Sequence, residues 1–209
     1  MYKDLEVILE IHPDNPQNRL INRVVEVLRQ DGVIVYPSDT SYGLGCSIFS
    51  KKALDRIYRI KQYGKTKKLS IVCKDITDIS RYAFINDMAY RNMKRLLPGP
   101  YTWILPATKE VPKSLHSKRR EIGIRIPNSP ICSQIVEELG NPLFFAGAGD
   151  PETNISGAEA YYLRDYYGSQ VDLVIDGGVL YDEPSTVIRA DDYGVEVVRQ
   201  GLGAIDFLG

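Results

Sequence analysis

Between residues 20 and 46 the hydrophobic period of the chain changes twice, and that switching limits the folds open to it. Leu20, Ile21, Val24, Val25 and Leu28 recur at the spacing of one helix face, after Asn15-Pro16, which suits an N-cap and a first helical turn. Asp31-Gly32 breaks the pattern. Val33–Tyr36 then reads as a short buried strand, and a second extended piece runs through Tyr42-Gly43-Leu44-Gly45-Cys46. The switching continues, with helices expected at 51–61, 75–82, 87–97, 129–139 and near 158–166. Strands are expected at 69–73, 101–105, 122–126, 143–146, 171–176, 185–189 and 195–199. Ile122, Ile124 and Ile126 alternate with Gly123 and Arg125, so one face of that strand is apolar and Arg125 points the other way. The sequence shows no repeat and no linker that would split the chain. It predicts an α/β (α+β) protein: one domain over 1–209, built on a twisted mixed β-sheet flanked by helices.

Composition excludes several classes. With 44% hydrophobic and 25% charged residues among 209, the chain has the make-up of a soluble globular protein. No apolar run approaches the roughly 18 residues of a membrane span. The N-terminus carries acids within its apolar stretch and no small-residue cleavage site, so it does not read as a signal peptide. Cys46, Cys73 and Cys132 are odd in number, far apart and set among apolar residues. They read as reduced core thiols, and a cytoplasmic protein is expected. His12 and His116 have no partner at ligand spacing, so no metal site is expected.

The net charge of −1 hides an asymmetry: residues 150–209 carry 12 acids and 3 basic residues. Within 51–68 the balance reverses, with Lys51, Lys52, Arg56, Arg59, Lys61, Lys65, Lys67 and Lys68 against Asp55 alone. Such a cluster fits a polyanion, and it equally fits a solvated helix face followed by a basic loop.

The segment Tyr36-Pro37-Ser38-Asp39-Thr40-Ser41-Tyr42-Gly43-Leu44-Gly45 places hydroxyls and two glycines between strands. Hydroxyls on a rigid turn can bind a small polar ligand and glycines can admit it to the backbone; equally, the hydroxyls can simply satisfy turn amides. Other blocks follow in order: Lys61 closing a helix, Leu69-Ser70-Ile71-Val72, Leu97-Pro98-Gly99-Pro100-Tyr101-Thr102, Ile124-Arg125-Ile126-Pro127-Asn128-Ser129-Pro130, Pro184-Ser185-Thr186-Val187-Ile188 and Val198-Arg199-Gln200-Gly201. Together they resemble the signature blocks of the YrdC/YciO family. The stretches 11–17 and 108–112 are similar to its YciO branch.

The resemblance implies a YrdC-like fold with a concave basic face. It also implies the formation of threonylcarbamoyl-AMP from L-threonine, bicarbonate and ATP, with release of pyrophosphate, for tRNA modification. A threonylcarbamoyl-transferase would be the downstream partner. Magnesium would be held mainly by the nucleotide phosphates. On this resemblance Lys61 grips phosphate as a compact charge and is the catalytic candidate. Ser38, Thr40, Tyr42, Arg125 and Ser185 would bind the amino-acid substrate, and Thr102, Gly147, Gly149, Asn154 and Arg199 the nucleotide. Lys61 also reads as a helix-end lysine, Arg125 as half of an internal salt bridge, and Arg199 as a partner for a nearby acid.

Two stretches depart from the synthase pattern. Where the family's synthases carry Lys-x-Arg, this chain has Lys61-Gln62-Tyr63, and tyrosine has no fixed charge. The Ser-x-Asn motif becomes Gly147 and Gly149 if aligned from the left, or Glu152 and Asn154 if aligned from the right. Gly147-Ala148-Gly149 can still offer backbone amides to an anion, or form a plain turn. The family is also associated with double-stranded RNA and tRNA. On that alternative Lys65, Lys67 and Lys68, with Lys118-Arg119-Arg120, would grip phosphates without full synthase activity, by charge and shape.

Overall fold

A computed structural model describes residues 8–62, 70–115, 120–149, 154–192 and 194–206. Ten strands form one mixed sheet in the order β1-β8-β2-β3-β7-β4-β6-β5-β9-β10. They are β1 (Ile8–Glu10), β2 (Ile34–Pro37), β3 (Tyr42–Gly45), β4 (Ser70–Val72), β5 (Tyr101–Pro106), β6 (Glu121–Arg125), β7 (Leu143–Gly147), β8 (Leu173–Asp176), β9 (Thr186–Asp191) and β10 (Gly194–Arg199). Pairs β1/β8, β2/β8, β4/β6 and β5/β9 are parallel, and the other five are antiparallel. The expected mixed sheet is therefore present, with β1 as an edge strand that its short, singly alternating sequence does not announce.

The α-helices among the described residues are α1 (Asn18–Arg29), α2 (Lys51–Ile60), α3 (Ile76–Tyr82), α4 (Asp87–Leu96), α5 (Pro130–Leu139) and α6 (Ala160–Tyr167). Their ends follow local chemistry. The Ser50, Asp75, Asn86 and Ser129 side chains cap α2 to α5 in turn, and Pro130 opens α5. Gly140, at φ 76°, ends α5 in the left-handed conformation that glycine adopts freely. Helix α1 starts later than Asn15-Pro16 suggests. His12 Nδ1 accepts from the Asp14 and Asn15 amides, holding that segment as a turn, and the helix begins beyond Gln17.

Alternation along each strand divides the sheet into two faces. One carries Val35, Leu44, Ala146, Phe144, Ile71, Ile124, Trp103 and Ile188, covered by buried residues of α2, α3, α4 and α6. The other is covered by α1 and α5 over Ile34, Tyr36, Leu143, Phe145, Val72, Leu173 and Ile175. Beyond that cover, β6, β5 and β9 turn Gly123, Arg125, Thr102, Ile104, Val187 and Arg189 to the same side, and none of these belongs to either apolar cluster. The helix layer thus stops part-way across one face. Residues at that boundary are held by rigid strands yet lack a helix above them.

Candidate functional site

Arg125 ends β6 at this boundary. Its side chain is 2% exposed, and its Nη2 donates to Asp39 Oδ1 at 2.7 Å and to Thr40 Oγ1 at 3.0 Å. The guanidinium carbon lies 4.7 Å from the centre of the Phe145 ring, a cation–π contact. Its Nε has no hydrogen-bond partner among the described residues. A buried cation so fixed, with a donor unspent, is costly unless an acceptor completes it.

The turn from β2 to β3 supplies the partners. Ser38 Oγ donates to the Ser41 carbonyl at 2.6 Å and accepts from the Thr40 and Ser41 amides, so the contact between Ser38 Oγ and Thr40 Oγ1 at 3.0 Å leaves Thr40 as donor. Asp39 Oδ2 accepts from the Asn128 amide at 2.9 Å, tying the turn to the loop before α5. Ser38 is thereby committed within the turn, whereas Thr40 meets Arg125 directly. Asp39 joins the site: it lies within the 36–45 block of the sequence, which assigned it no role of its own. The signal was present in a lone acid among hydroxyls and a lone arginine on an apolar strand.

Tyr42 faces elsewhere. Its buried hydroxyl donates to the Gly178 carbonyl at 2.7 Å and accepts from the Gly177 amide at 3.0 Å, bracing the turn after β8. Burial pushes its pKa well above the ordinary tyrosine value. The glycines of β3 also serve packing. A Cβ on Gly43 would fall 2.3 Å from Phe145 Cε2, and one on Gly45 would fall 2.3 Å from Tyr36 Cε1. They admit aromatic rings to the backbone, a place the sequence left open to a small ligand. Gly147 differs: a Cβ there would meet nothing within 4 Å among the described residues. Its backbone, paired with Gly43, borders open space.

On the other flank, Thr102 is the neighbour of Trp103, which pairs with Ile124, and Ser185 precedes β9. Their hydroxyls lie 2.7 Å apart. Arg199 Nη2 donates to the Ser185 carbonyl at 2.8 Å, and Arg199 pairs with no carboxylate among the described residues. Desolvation, then the like charge of Arg125, lowers the Arg199 pKa. Arg199 thus lies within electrostatic reach of Arg125. Lys61, just beyond α2, donates through Nζ to the Gly149 carbonyl at 3.0 Å and so borders the loop after β7. Gly149 itself is packed, since a Cβ there would lie 2.7 Å from the Gly157 amide nitrogen. Asn154 is exposed with φ 56°. Tyr63, Lys65, Lys67, Lys68, His116, Lys118, Arg119 and Glu152 lie outside the described residues.

The structure thus brings Thr40, Arg125, Thr102, Ser185 and Arg199 to one side of the sheet, with Gly147 and Lys61 at the adjoining loop. Tyr42 and Ser38 support it from beneath.

Residues 26–201 match the Sua5_yciO_yrdC family model, described as telomere recombination. The chain belongs to this family. YciO of Escherichia coli, itself uncharacterized, is 44% identical over 196 residues, covering 93% of this chain and 95% of the relative. The crystal structure of E. coli YciO superposes with a TM-score of 0.91, covering 97% of this chain and 98% of that one. A putative threonylcarbamoyl-AMP synthase of Methanocaldococcus jannaschii is 33% identical over 205 residues, covering 93% of each chain. P. abyssi Sua5 complexed with L-threonine shares the fold, with a TM-score of 0.84 at 24% identity, covering 93% of this chain and 57% of that one. No helix among the described residues is long and apolar enough to cross a membrane.

Proposed function

We propose that the protein forms threonylcarbamoyl-AMP from L-threonine, bicarbonate and ATP, releasing pyrophosphate, in the threonylcarbamoyl modification of tRNA. The observation that carries this reading is Arg125. It is a buried guanidinium held by Asp39, Thr40 and Phe145, its Nε has no partner among the described residues, and its charge reaches a second guanidinium, Arg199. With both Nη2 hydrogens held by Asp39 and Thr40, such a group receives a carboxylate or phosphate through its charge and its remaining N–H donors, and a carboxylate at Arg125 directs the amino acid along the sheet face toward the loop at Gly147. A relative bearing the synthase name and a fold relative crystallised with L-threonine agree with this chemistry.

In the reaction the threonine amine bonds to the carbon of carbon dioxide with loss of a proton, or to the carbon of bicarbonate with loss of water, giving a carbamate. A carbamate oxygen then attacks the α-phosphorus of ATP, and the bond to the bridging oxygen breaks as pyrophosphate leaves. The chain contributes position and positive charge: Arg125 and Ser185 at the amino acid, Lys61 and Arg199 at phosphate, Thr102 at the nucleotide, and the Gly147 backbone as a close wall. Magnesium fits as a passenger of the nucleotide. No cluster of three acidic, histidine or cysteine side chains stands ready for a metal among the described residues, and Asp39 is spent on Arg125 and Asn128. A cytoplasmic setting fits the three buried free thiols.

The test is pyrophosphate release from ATP with bicarbonate and magnesium, with and without L-threonine. Threonine-dependent release that is lost in Lys61→Ala and Arg125→Lys is the expected result. No release, with no rise in melting temperature on adding ATP, would overturn the reading.

The exposed outer face of α2, bearing Lys51, Lys52 and Arg59 over a buried face of Ala53, Leu54 and Ile57, favours a second reading. This is binding of double-stranded RNA or tRNA by charge. A steep fall of affinity with salt, together with loss of binding in a Lys51→Glu/Lys52→Glu variant, would support it.

A further inference from the structure

We propose that Asp182, outside every motif described above, is a positioning residue that holds the two walls of the site in register. The proposal rests on the site reading above. Asp182 sits in the loop between β8 and β9 with φ 58°, a left-handed conformation uncommon for a residue other than glycine. Its side chain is exposed, yet both carboxylate oxygens are used. Oδ1 accepts from the Gly157 amide at 2.8 Å, and Oδ2 accepts from Ser156 Oγ at 2.8 Å.

What Asp182 holds is a strap between the site's two walls. The Gly157 carbonyl accepts from the Tyr42 amide at 2.8 Å, at the end of the turn that positions Arg125. The Tyr42 carbonyl in turn accepts from the Ala148 amide at 2.8 Å. Gly149 packs on the strap, and the Gly149 carbonyl receives Lys61. The strap is close-fitting: a Cβ on Gly157 would lie 2.8 Å from Asp182 Oδ1, 3.2 Å from the Gly149 nitrogen and 3.4 Å from Ser41 Cβ. Three residues after Asp182, Ser185 reaches Thr102 and Arg199. One carboxylate therefore links the arginine turn, the lysine loop and the start of β9. A charged acceptor for a backbone amide is stronger than a neutral one, and small displacements of positioned groups weaken binding steeply.

The test compares wild type with Asp182→Ala, Asp182→Asn and the control Asp172→Ala. Asp172 bonds the Val33 amide and Arg56, before the starts of β8 and β2 and away from the turn. Calorimetry with L-threonine and with magnesium ATP should show affinity in Asp182→Ala weakened about ten- to a hundredfold. Asp182→Asn, which keeps one oxygen for Gly157, should restore most of it, and Asp172→Ala should change only the melting temperature. Amide hydrogen exchange supplies a readout independent of any ligand. In Asp182→Ala the Tyr42 and Ala148 amides should exchange at least about tenfold faster while core amides of β6 keep their protection. Unchanged exchange at Tyr42 and Ala148, or acceleration spread evenly through the sheet, would overturn the proposal whether or not the wild type binds either ligand. Wild-type binding of neither ligand would instead overturn the function proposed above.

Discussion

Arg125 and Phe145 lie one above the other at the edge of the helix layer, guanidinium carbon 4.7 Å from ring centre, with Asp39 closing the guanidinium from the side at 2.7 Å. The ring excludes water beneath the cation and the carboxylate neutralises it, so both partners are needed for the charge to be tolerated. Replacing Arg125 with Met should cost about 3–5 kcal/mol, because it strands the Asp39 carboxylate. Adding Asp39→Asn to Arg125→Met should recover part of that loss. Urea denaturation of the two single variants and the double variant measures the coupling directly.

Phe145 also depends on what lies across from it. Gly43→Ala should destabilise by about 1–3 kcal/mol through overpacking against the ring. Phe145→Leu should relieve the clash in the double variant while weakening the seat of Arg125. The prediction is checked by melting temperature, with the double variant more stable than the sum of the two single losses implies.

The flank across the sheet carries less stability and more function. Thr102→Val removes the 2.7 Å contact with Ser185 and should cost about 1 kcal/mol in folding free energy. The affinity for magnesium ATP should fall by several-fold while that for L-threonine changes less. Calorimetry on the two ligands separates these effects, and equal losses would argue against Thr102 as a nucleotide contact.

Alkaline pH should unfold the protein ahead of backbone chemistry. Burial pushes the Cys132 thiol up to about 12 from its ordinary 9.0, and burial also raises Tyr36 and Tyr42. Each group's folded pKa lies above its unfolded one, so the folded state retains the proton that the unfolded chain releases. The stabilisation is full below the unfolded values and is lost as pH rises through the folded ones. Stability should fall from about pH 9 upward. Cys132→Ala should reduce the slope at about pH 9, as read from urea midpoints, while Cys46 and Cys73, whose thiols burial also pushes up, keep their share of it.

The sequence by itself determined the class of fold and most of its elements. Period-two and period-3.6 patterns report which residues face a core, and side-chain caps such as Ser129-Pro130 act within a few residues of their helix. It also brought forward Arg125, because one charge on an apolar alternation has to be answered somewhere. The partner that answers it was not legible there: Asp39 stands 86 positions away, and only the pairing of β2 with β3 and of β4 with β6 brings the turn to the end of β6. For the same reason the sequence leaves open whether the glycines of β3 face a ligand or a neighbouring side chain, and only the tertiary structure sets Phe145 and Tyr36 against them. Tyr42 likewise read as a wall of the site until its hydroxyl was found on Gly177 and Gly178. Which side of the sheet the helices leave uncovered, and that Asp182 reaches the strap at Gly157, depend on contacts between distant segments. Local periodicity contains no term for such contacts, and tertiary packing alone decides them.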